Sequence, residues 1–357
     1  MKVAIIGAGL AGLYCAHELE RLGVKPVIFE KNSFIGEAMN HATAVLNITH
    51  RPIPNVLEYI KKNHHLEIKP IATVNMLEHH APNATTTLKG FYGYFFKYSK
   101  DDDSLKNQIY SKLKHTKFYF NEVGDYEKLS KKYDFVVVAN GNSKSAEEMG
   151  IWQDWIRTYV RGAIILGDFD PNKLVMWINK EYFKSGYAYL CPLERQRATI
   201  SVIASDVDER EIDRYWELFI YGESIKNPIV EEFTLMHNSG WVYPHQLGNI
   251  IFAGNAGGGI EPFLGFGHLN AAIMGAAAAR TIALGWNYEE QIRRTMERND
   301  EMRMLRKIFN KMTNKEYDLF VASLKIPGVN KLVYSSNVNV SKYGALIGKL
   351  TLRDPNS

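Results

Sequence analysis

The stretch VAIIGAGLAG at residues 3–12 decides how this chain folds. Val3–Ile6 is a short apolar run rich in β-branched residues, and it leads directly into Gly7-Ala8-Gly9-Leu10-Ala11-Gly12. The following residues, Leu13–Leu22, have the apolar pattern of a helix. A Gly-x-Gly-x-x-Gly match carries a physical meaning when it joins a strand to a helix in this way. The sequence therefore predicts a strand, a phosphate-binding turn and a helix.

Each glycine of this turn has its own role. Gly7 permits the tight turn, Gly9 lets the backbone approach a pyrophosphate, and Gly12 lets the helix pack on the strand. The free N–H groups and the partial positive charge of the helix start then face the phosphates. A second apolar strand, Val27–Phe29, ends at Glu30, whose carboxylate suits a ribose 2′-hydroxyl and argues against a 2′-phosphate. The motif predicts NAD or FAD and does not distinguish them.

A second glycine-rich segment favours FAD. The buried-strand pattern Ile250–Ala253 runs into Gly254-Asn255-Ala256-Gly257-Gly258-Gly259, then Glu261-Pro262-Phe263 and Gly265-Phe266-Gly267, before a helix predicted over His268–Ala283. So many glycines between a strand and a helix indicate that the backbone passes close to something flat or anionic, and a flavin is both. The helix start would face the pyrimidine edge of the isoalloxazine, where negative charge gathers on reduction.

With these two segments and the strand Gly186-Tyr187-Ala188-Tyr189-Leu190-Cys191-Pro192, most of the chain resembles the flavoprotein reductases and hydroxylases of the p-hydroxybenzoate hydroxylase fold. Within them it is most similar to the geranylgeranyl reductase family. That family has a Gly-Tyr-x-Trp-x-x-Pro strand over the flavin. The resemblance implies a FAD-dependent oxidoreductase.

Three departures from the family pattern qualify what is carried over. Asn255 stands where the family has an Asp, so it offers a hydrogen-bond acceptor without charge. Asn140 replaces the acid of the Ala-Asp-Gly segment of the hydroxylases, and the Arg that follows there is absent, which disfavours a hydroxylase that binds NAD(P)H through this segment. The Pro and Cys pair of the reductases is missing from Phe34–Met39, which weakens the transfer of their lipid specificity.

The predicted fold class is α/β: a three-layer FAD-binding Rossmann-like domain of the glutathione-reductase type, an inserted antiparallel-sheet substrate domain and a helical C-terminal region. The apolar runs between Arg161 and Ser205 supply the antiparallel strands. The domain bounds are residues 1–60, 100–155 and 245–285 for the FAD-binding domain, 61–99 and 156–244 for the substrate domain, and 286–357 for the helical region.

The predicted cofactor-binding residues lie in the turns and helix starts described above and at the ends of the strands beside them. They are Gly7, Ala8, Gly9, Leu10, Ala11, Gly12, Glu30, Lys31, Ala139, Gly141, Gly254, Asn255, Gly265, Phe266, Gly267, His268 and Leu269. The resemblance places Tyr187, Tyr189, Cys191 and Pro192 over the isoalloxazine as substrate-lining residues, and plain packing of a sheet face is the alternative. No catalytic residue is assigned. Cys191 as an acid or thiol is a hypothesis.

Composition and charge bear on nucleic-acid binding, metal binding and membrane association. The 357 residues carry a formal net charge of +4, which is too small to indicate nucleic-acid binding. Cys15 and Cys191 are the two cysteines, and the adjacent histidine pairs His64-His65 and His79-His80 lack ligand spacing, so no metal is predicted. A basic stretch at 293–315 is interpreted as a solvated helix face, with an anionic lipid surface as the alternative. No apolar run reaches membrane-spanning length, and a cytoplasmic protein, with peripheral membrane contact left open, is predicted.

The leading functional hypothesis is a FAD-dependent oxidoreductase that acts on a small apolar, isoprenoid-type substrate by hydride transfer at flavin N5. Two alternatives stay open. One is a flavin-dependent monooxygenase, and the other is a non-catalytic module of the same fold that binds a prenyl group or lipid. The electron donor, either NAD(P)H or a redox protein, is not assigned.

Overall fold

The computed structural model describes residues 1–335, and residues 336–357 of the predicted helical region lie outside the described part. The strands are β1 (Val3–Ile6), β2 (Val27–Glu30), β3 (His41–Leu46), β4 (Ala72–Ala81), β5 (Ala84–Tyr98), β6 (Lys117–Phe120), β7 (Phe135–Val138), β8 (Trp152–Leu166), β9 (Lys173–Trp177), β10 (Gly186–Glu194), β11 (Arg197–Ser205), β12 (Ile229–Val242), β13 (Gln246–Leu247) and β14 (Ile250–Phe252).

The α-helices are α1 (Leu10–Arg21), α2 (Val56–His64), α3 (Leu105–Tyr110), α4 (Tyr126–Ser130), α5 (Lys144–Glu148), α6 (Glu209–Gly222), α7 (His268–Leu284), α8 (Tyr288–Lys311), α9 (Asn314–Ser323) and α10 (Pro327–Asn330). Short 3₁₀ turns occupy Asn47–His50 and Gly254–Gly257, and a π-helical turn occupies Lys331–Ser335. Helix α1 begins at Leu10, three residues before the predicted start, because Gly9 is its N-cap and the last glycine of the turn is already helical.

A six-stranded sheet in the order β13-β14-β7-β1-β2-β6 combines strands from residues 3–30, 117–138 and 246–252. Its central strand β1 pairs in parallel with β2 and with β7, and β14 pairs in parallel with β7. The buried apolar sequences of β1, β7 and β14 are typical of parallel strands covered on both faces. Parallel pairing brings the carboxyl ends of these strands to one edge, so both glycine-rich segments begin there.

Helices cover both faces of this sheet, which confirms the three-layer prediction. On one face α1 packs against α7 so closely that a Cβ on Gly275 would lie 2.3 Å from the carbonyl oxygen of Ala11. On the other face, Leu129 of α4 and Ala146 of α5 share an apolar cluster with Val136 of β7.

A second sheet has eight strands in the order β12-β8-β11-β10-β9-β4-β5-β3. The neighbouring pairs are antiparallel except β4 with β9, which run parallel, so the prediction of an antiparallel sheet needs this correction. A parallel pair needs a long connection, and the chain between β4 and β9 supplies it by passing through the six-stranded sheet. Strand β3 belongs to this sheet, although it lies within residues 1–60, which the sequence predicts to be part of the FAD-binding domain; the domain division stays a prediction.

The basic stretch at 293–315 is only partly a solvated face. Arg293, Arg294 and Lys307 are exposed, but Arg306 is 3% exposed and Arg298 is half-buried. The simple solvated-face interpretation is therefore wrong for Arg306, because α8 packs against the second glycine-rich segment. No helix among residues 1–335 has the length and apolar character needed to cross a membrane.

Candidate functional site

In the turn after β1, two of the three glycines leave no room for a side chain, and the third does. Gly7 has φ +98°, and a Cβ there would lie 2.6 Å from the carbonyl oxygen of Ala139. A Cβ on Gly12 would lie 2.1 Å from the carbonyl oxygen of Gly7. A Cβ on Gly9 would meet the Ala139 oxygen only at 3.6 Å, an ordinary contact. The protein therefore leaves room at Gly9, where a pyrophosphate is predicted to approach.

Helix α1 presents free backbone donors at this opening. Its N-cap, Gly9, has no side-chain capping hydrogen bond, and the first turn carries no acidic residue. The first intrahelical bond is donated by the N–H of Leu13 to the oxygen of Gly9 at 2.9 Å. Leu10 and Ala11 therefore contribute N–H groups, together with the positive end of the helix dipole, to an anion-binding site.

Glu30 lies beside the turn, as its position at the end of β2 predicts. Its carboxylate is 8% exposed and accepts hydrogen bonds from the N–H of Ala8 at 2.8 Å and of Asn32 at 2.9 Å. Each oxygen keeps a further lone pair for a ribose hydroxyl. The neighbouring Lys31 side chain is exposed, and its part in cofactor binding stays a prediction.

The second glycine-rich segment meets the first. Gly254 has φ +63°, and a Cβ there would lie 2.7 Å from the Cβ of Ala11. The Nδ2 of Asn255 donates to the carbonyl oxygen of Gly141 at 3.5 Å, and its Oδ1 would lie 3.3 Å from a Cβ on Gly267. Residues predicted from three separate stretches of the chain therefore meet at one edge of the six-stranded sheet.

Helix α7 brings a second uncapped N-terminus to this edge. Its N-cap Gly267 makes no side-chain capping bond. Leu269 is fully buried in the core, so only its backbone can face a ligand. His268 begins the helix, and burial lowers its pKa to about 4, with His41 and Lys106 lowering it further.

Several polar groups that the sequence reasoning missed surround His268. The His41 ring stacks on Tyr98 at 5.3 Å between centroids, and the Tyr98 ring lies edge-on to His268 at 5.7 Å. Lys106 of α3 pairs with Glu37. The alternation of side chains along β3 and β5 is the signal that could have identified His41 and Tyr98, because a single face of each strand points toward α7.

Two buried polar atoms near this edge lack a hydrogen-bond partner: Asn40 Oδ1 and His268 Nδ1. Buried polar atoms normally have partners, so these atoms indicate a polar ligand between the two sheets. Together with two uncapped helix N-termini and the open position at Gly9, they form a donor and acceptor set that fits FAD.

A small apolar cavity lies on the far side of the second glycine-rich segment. Its space of about 10 Å³ is close to that of one water molecule. The cavity is lined by Ala44, Leu46, Leu174, Met176, Tyr187, Tyr189, Cys191, Leu264 and Phe266. Three of the four predicted substrate residues therefore share one lining. Pro192 is not among the lining residues, because alternate residues of a strand face opposite sides of the sheet.

The Cys191 thiol is fully buried, and burial raises its pKa well above the ordinary range. A thiolate is therefore disfavoured at neutral pH, as it is for buried Cys15, whose pKa burial also raises. We expect neither cysteine to react with a disulfide reagent such as DTNB until the protein is unfolded, and Cys191→Ala to keep turnover within about twofold of wild type. Rapid labelling of the folded protein, or loss of turnover with flavin still bound, would restore Cys191 as a reactive group.

The adjacent histidines His79 and His80 contact different partners. His79 Nε2 lies 2.7 Å from the Tyr334 hydroxyl, whereas His80 Nε2 lies 2.9 Å from Glu78 Oε1 and its ring stacks on Trp177. Among residues 1–335 there is no group of three or more His, Cys, Asp or Glu side chains that could hold a metal ion.

Comparisons with known proteins find similarity to FAD-dependent oxidoreductases over part of the chain. Residues 2–115 match the family model described as DAO, FAD dependent oxidoreductase. A 35-residue stretch is 69% identical to the glutamate synthase [NADPH] small chain of Halomonas elongata; it covers 10% of this chain and only 7% of the length of that relative.

Two solved structures show the fold over nearly the whole chain. A geranylgeranyl bacteriochlorophyll reductase-like protein of Thermoplasma acidophilum is similar with a TM-score of 0.71 at 14% identity, over 99% of this chain and 96% of that one. Aklavinone-11 hydroxylase in a ternary complex with FAD and aklavinone is similar with a TM-score of 0.58 at 17% identity, over 94% and 71%. At these identities the likeness shows the fold alone.

Proposed function

We propose that this chain, which has the fold of the FAD-dependent oxidoreductases and FAD as its cofactor, is a flavoenzyme that transfers hydride to or from a small apolar substrate. The observation that carries the proposal is the apolar cavity that shares Leu264 and Phe266 with the segment predicted to border the flavin. A substrate in that cavity would therefore lie next to the redox centre.

Bound FAD would supply two-electron redox chemistry at its N5. The residues of this chain would hold it: the N–H groups at the start of α1 bind the pyrophosphate, Glu30 binds the ribose, and the start of α7 faces the pyrimidine edge. Because burial keeps the pKa of His268 near 4, its imidazole is neutral at pH 7 and can donate one hydrogen bond and accept another.

The cavity supports an apolar substrate class. Its lining is aliphatic, aromatic and sulfur-containing. The Tyr187 hydroxyl already donates its proton to the carbonyl oxygen of Leu264, so that proton is not available to an anionic ligand. Since the space holds about one water molecule, an isoprenoid-sized substrate enters only when side chains such as Phe266 move.

An absorption spectrum of the purified protein, followed by anaerobic dithionite reduction and reoxidation, tests the proposal. We expect flavin bands that bleach, a released cofactor identified as FAD, and anaerobic reoxidation by an apolar alkene. Reoxidation only by oxygen, with an oxygenated product, would favour the monooxygenase instead. A colourless protein that also rejects added FAD but binds prenyl lipid would favour the binding module and overturn the redox proposal.

Filling the cavity should separate substrate binding from cofactor binding. We expect Ala44→Leu to keep the FAD spectrum while raising the KM for apolar substrates at least about tenfold, because the added methylenes occupy the cavity. Ala42→Leu is the matched control, since Ala42 is also fully buried on β3 but does not line the cavity. Equal turnover losses in the two variants would place the substrate elsewhere.

A further inference from the structure

The second glycine-rich segment is held by side chains from beyond it in sequence. Asn299 of α8 is fully buried, and its Nδ2 donates to the carbonyl oxygen of Gly258 at 3.0 Å. Two turns further along the same face of α8, at a spacing of seven residues, Arg306 donates through Nη1 to the carbonyl oxygen of Phe263 at 2.8 Å. Helix α8 therefore contacts this segment at both ends of the stretch between Gly258 and Phe263.

Arg306 also reaches the eight-stranded sheet. Its Nη2 donates to the carbonyl oxygen of Ser185 at 3.0 Å and to the Ser205 Oγ at 2.9 Å. Ser185 directly precedes β10, which carries the cavity residues Tyr187 and Tyr189, and Ser205 ends β11 beside it. One guanidinium thus joins the glycine-rich segment, the start of β10 and the end of β11.

Burying the Arg306 guanidinium costs free energy, so packing alone does not explain why a cation lies at this position. Arg306 is 3% exposed, and its Nε has no hydrogen-bond partner. Burial lowers the pKa of its guanidinium, and the groups that act in the opposite direction are Tyr187, Glu261, Tyr317 and Asp206. Among the ion pairs within 4.0 Å formed by residues 1–335, none includes Arg306. An apolar side chain of similar volume often gives equal or greater stability at such a position, whereas the planar fork of arginine holds several acceptors in one geometry.

We infer that Arg306 is a positioning residue that fixes the distance between the glycine-rich segment bordering the flavin and the strand that lines the substrate cavity, a role that rests on the proposed function of that site. The Tyr187 hydroxyl bond to Leu264 joins the same two segments from the other side. Among the hydrogen bonds of residues 1–335, loss of Arg306 leaves the one from Tyr187 to Leu264 between these two segments, and we expect the segments to move apart more readily.

Hydrogen–deuterium exchange of the cofactor-free protein tests the connection itself. In Arg306→Met we expect exchange at residues 263–266 and at 186–188 to quicken together by about tenfold or more, with partial recovery in Arg306→Lys, which keeps the charge but not the fork. Arg294→Met is the matched control, because Arg294 lies exposed on the same helix. Exchange that stays at wild-type rates in both segments of Arg306→Met would overturn the assignment, whatever the flavin does.

Measurements on the bound flavin test whether movement of these two segments alters the cofactor site. With FAD bound, we expect Arg306→Met to weaken FAD binding by about tenfold and to shift the flavin absorption bands and midpoint potential, while Arg294→Met leaves them unchanged. A lowered Tm with wild-type FAD affinity, spectrum and potential would reduce Arg306 to a purely structural role. If Arg306→Met does not fold, Arg306→Lys keeps the charge but cannot hold acceptors on several segments at once, and wild-type exchange in both segments together with a wild-type flavin spectrum there would overturn the assignment. A wild-type protein that takes up no FAD would refute the proposed function and leave the exchange comparison intact.

Discussion

Replacement of Gly9 by valine should leave a folded protein that has lost FAD. Gly9 has φ −72° and ψ 178°, which any residue adopts, and its Cβ position meets only the Ala139 oxygen at 3.6 Å. The valine methyl groups would instead occupy the space predicted for the pyrophosphate. We expect FAD affinity to fall at least about 100-fold, measured by titration of the flavin spectrum, with little change in the Tm of the cofactor-free protein.

Two variants frame this result. Gly328→Val is the matched control, because a Cβ there also meets open space but far along the chain from the turn, and it should bind FAD normally. Gly12→Val should fail differently, by lowering the Tm itself, since its Cβ would lie 2.1 Å from the Gly7 oxygen. Normal FAD binding by Gly9→Val would show that the dinucleotide does not cross this turn.

The protein should lose stability steeply as the pH falls below 6.5. Burial lowers the pKa of His50 and of His64 to about 3, and the pKa of His79 to about 4. Because the unfolded chain takes up protons at these sites near pH 6.5 and the folded chain does not, unfolding becomes more favourable from pH 6.5 down to the folded pKa values. Between pH 6.5 and 4 each histidine costs on the order of 2 kcal/mol, a large share of the stability of an ordinary domain.

His64 offers the sharpest test of this acid lability. Both of its ring nitrogens are buried without a partner, and its ring lies edge-on to Tyr14 and Tyr59. We expect His64→Phe to raise the free energy of unfolding at pH 4.5 by on the order of 1–2 kcal/mol, measured by urea unfolding, with a smaller effect at pH 7.5. His115→Phe, at an exposed position, should leave the pH profile unchanged. An equal gain at both pH values would mean that packing, not protonation, is responsible.

Local sequence patterns predict the six-stranded sheet and its glycine-rich turns well, and they predict the eight-stranded sheet less well. The turn at residues 7–12 and Glu30 are predictable because each follows a short apolar strand whose carboxyl end must reach one sheet edge. The parallel pairing of β4 with β9 is not predictable, since a strand's own alternation carries no information about which distant strand lies beside it.

The same difference holds for individual side chains. The glycines of the turns can be recognised by residue type, whereas the roles of His41, Tyr98 and Arg306 depend on where the fold places them. Arg306 is instructive because its neighbours in sequence form a basic run typical of a solvated helix, and only the fold turns that one position inward.

The central place of β1 has a consequence for how the protein forms during synthesis. Strand β1 cannot complete its pairing until β7, at residues 135–138, has been synthesised, and β7 in turn waits for β14 at 250–252. Pairings this distant in the chain slow folding, because loop closure must precede the contacts that reward it. The nascent chain therefore carries a strand of this sheet with an unpaired edge until β14 is synthesised, and such an edge favours aggregation of a partly folded chain.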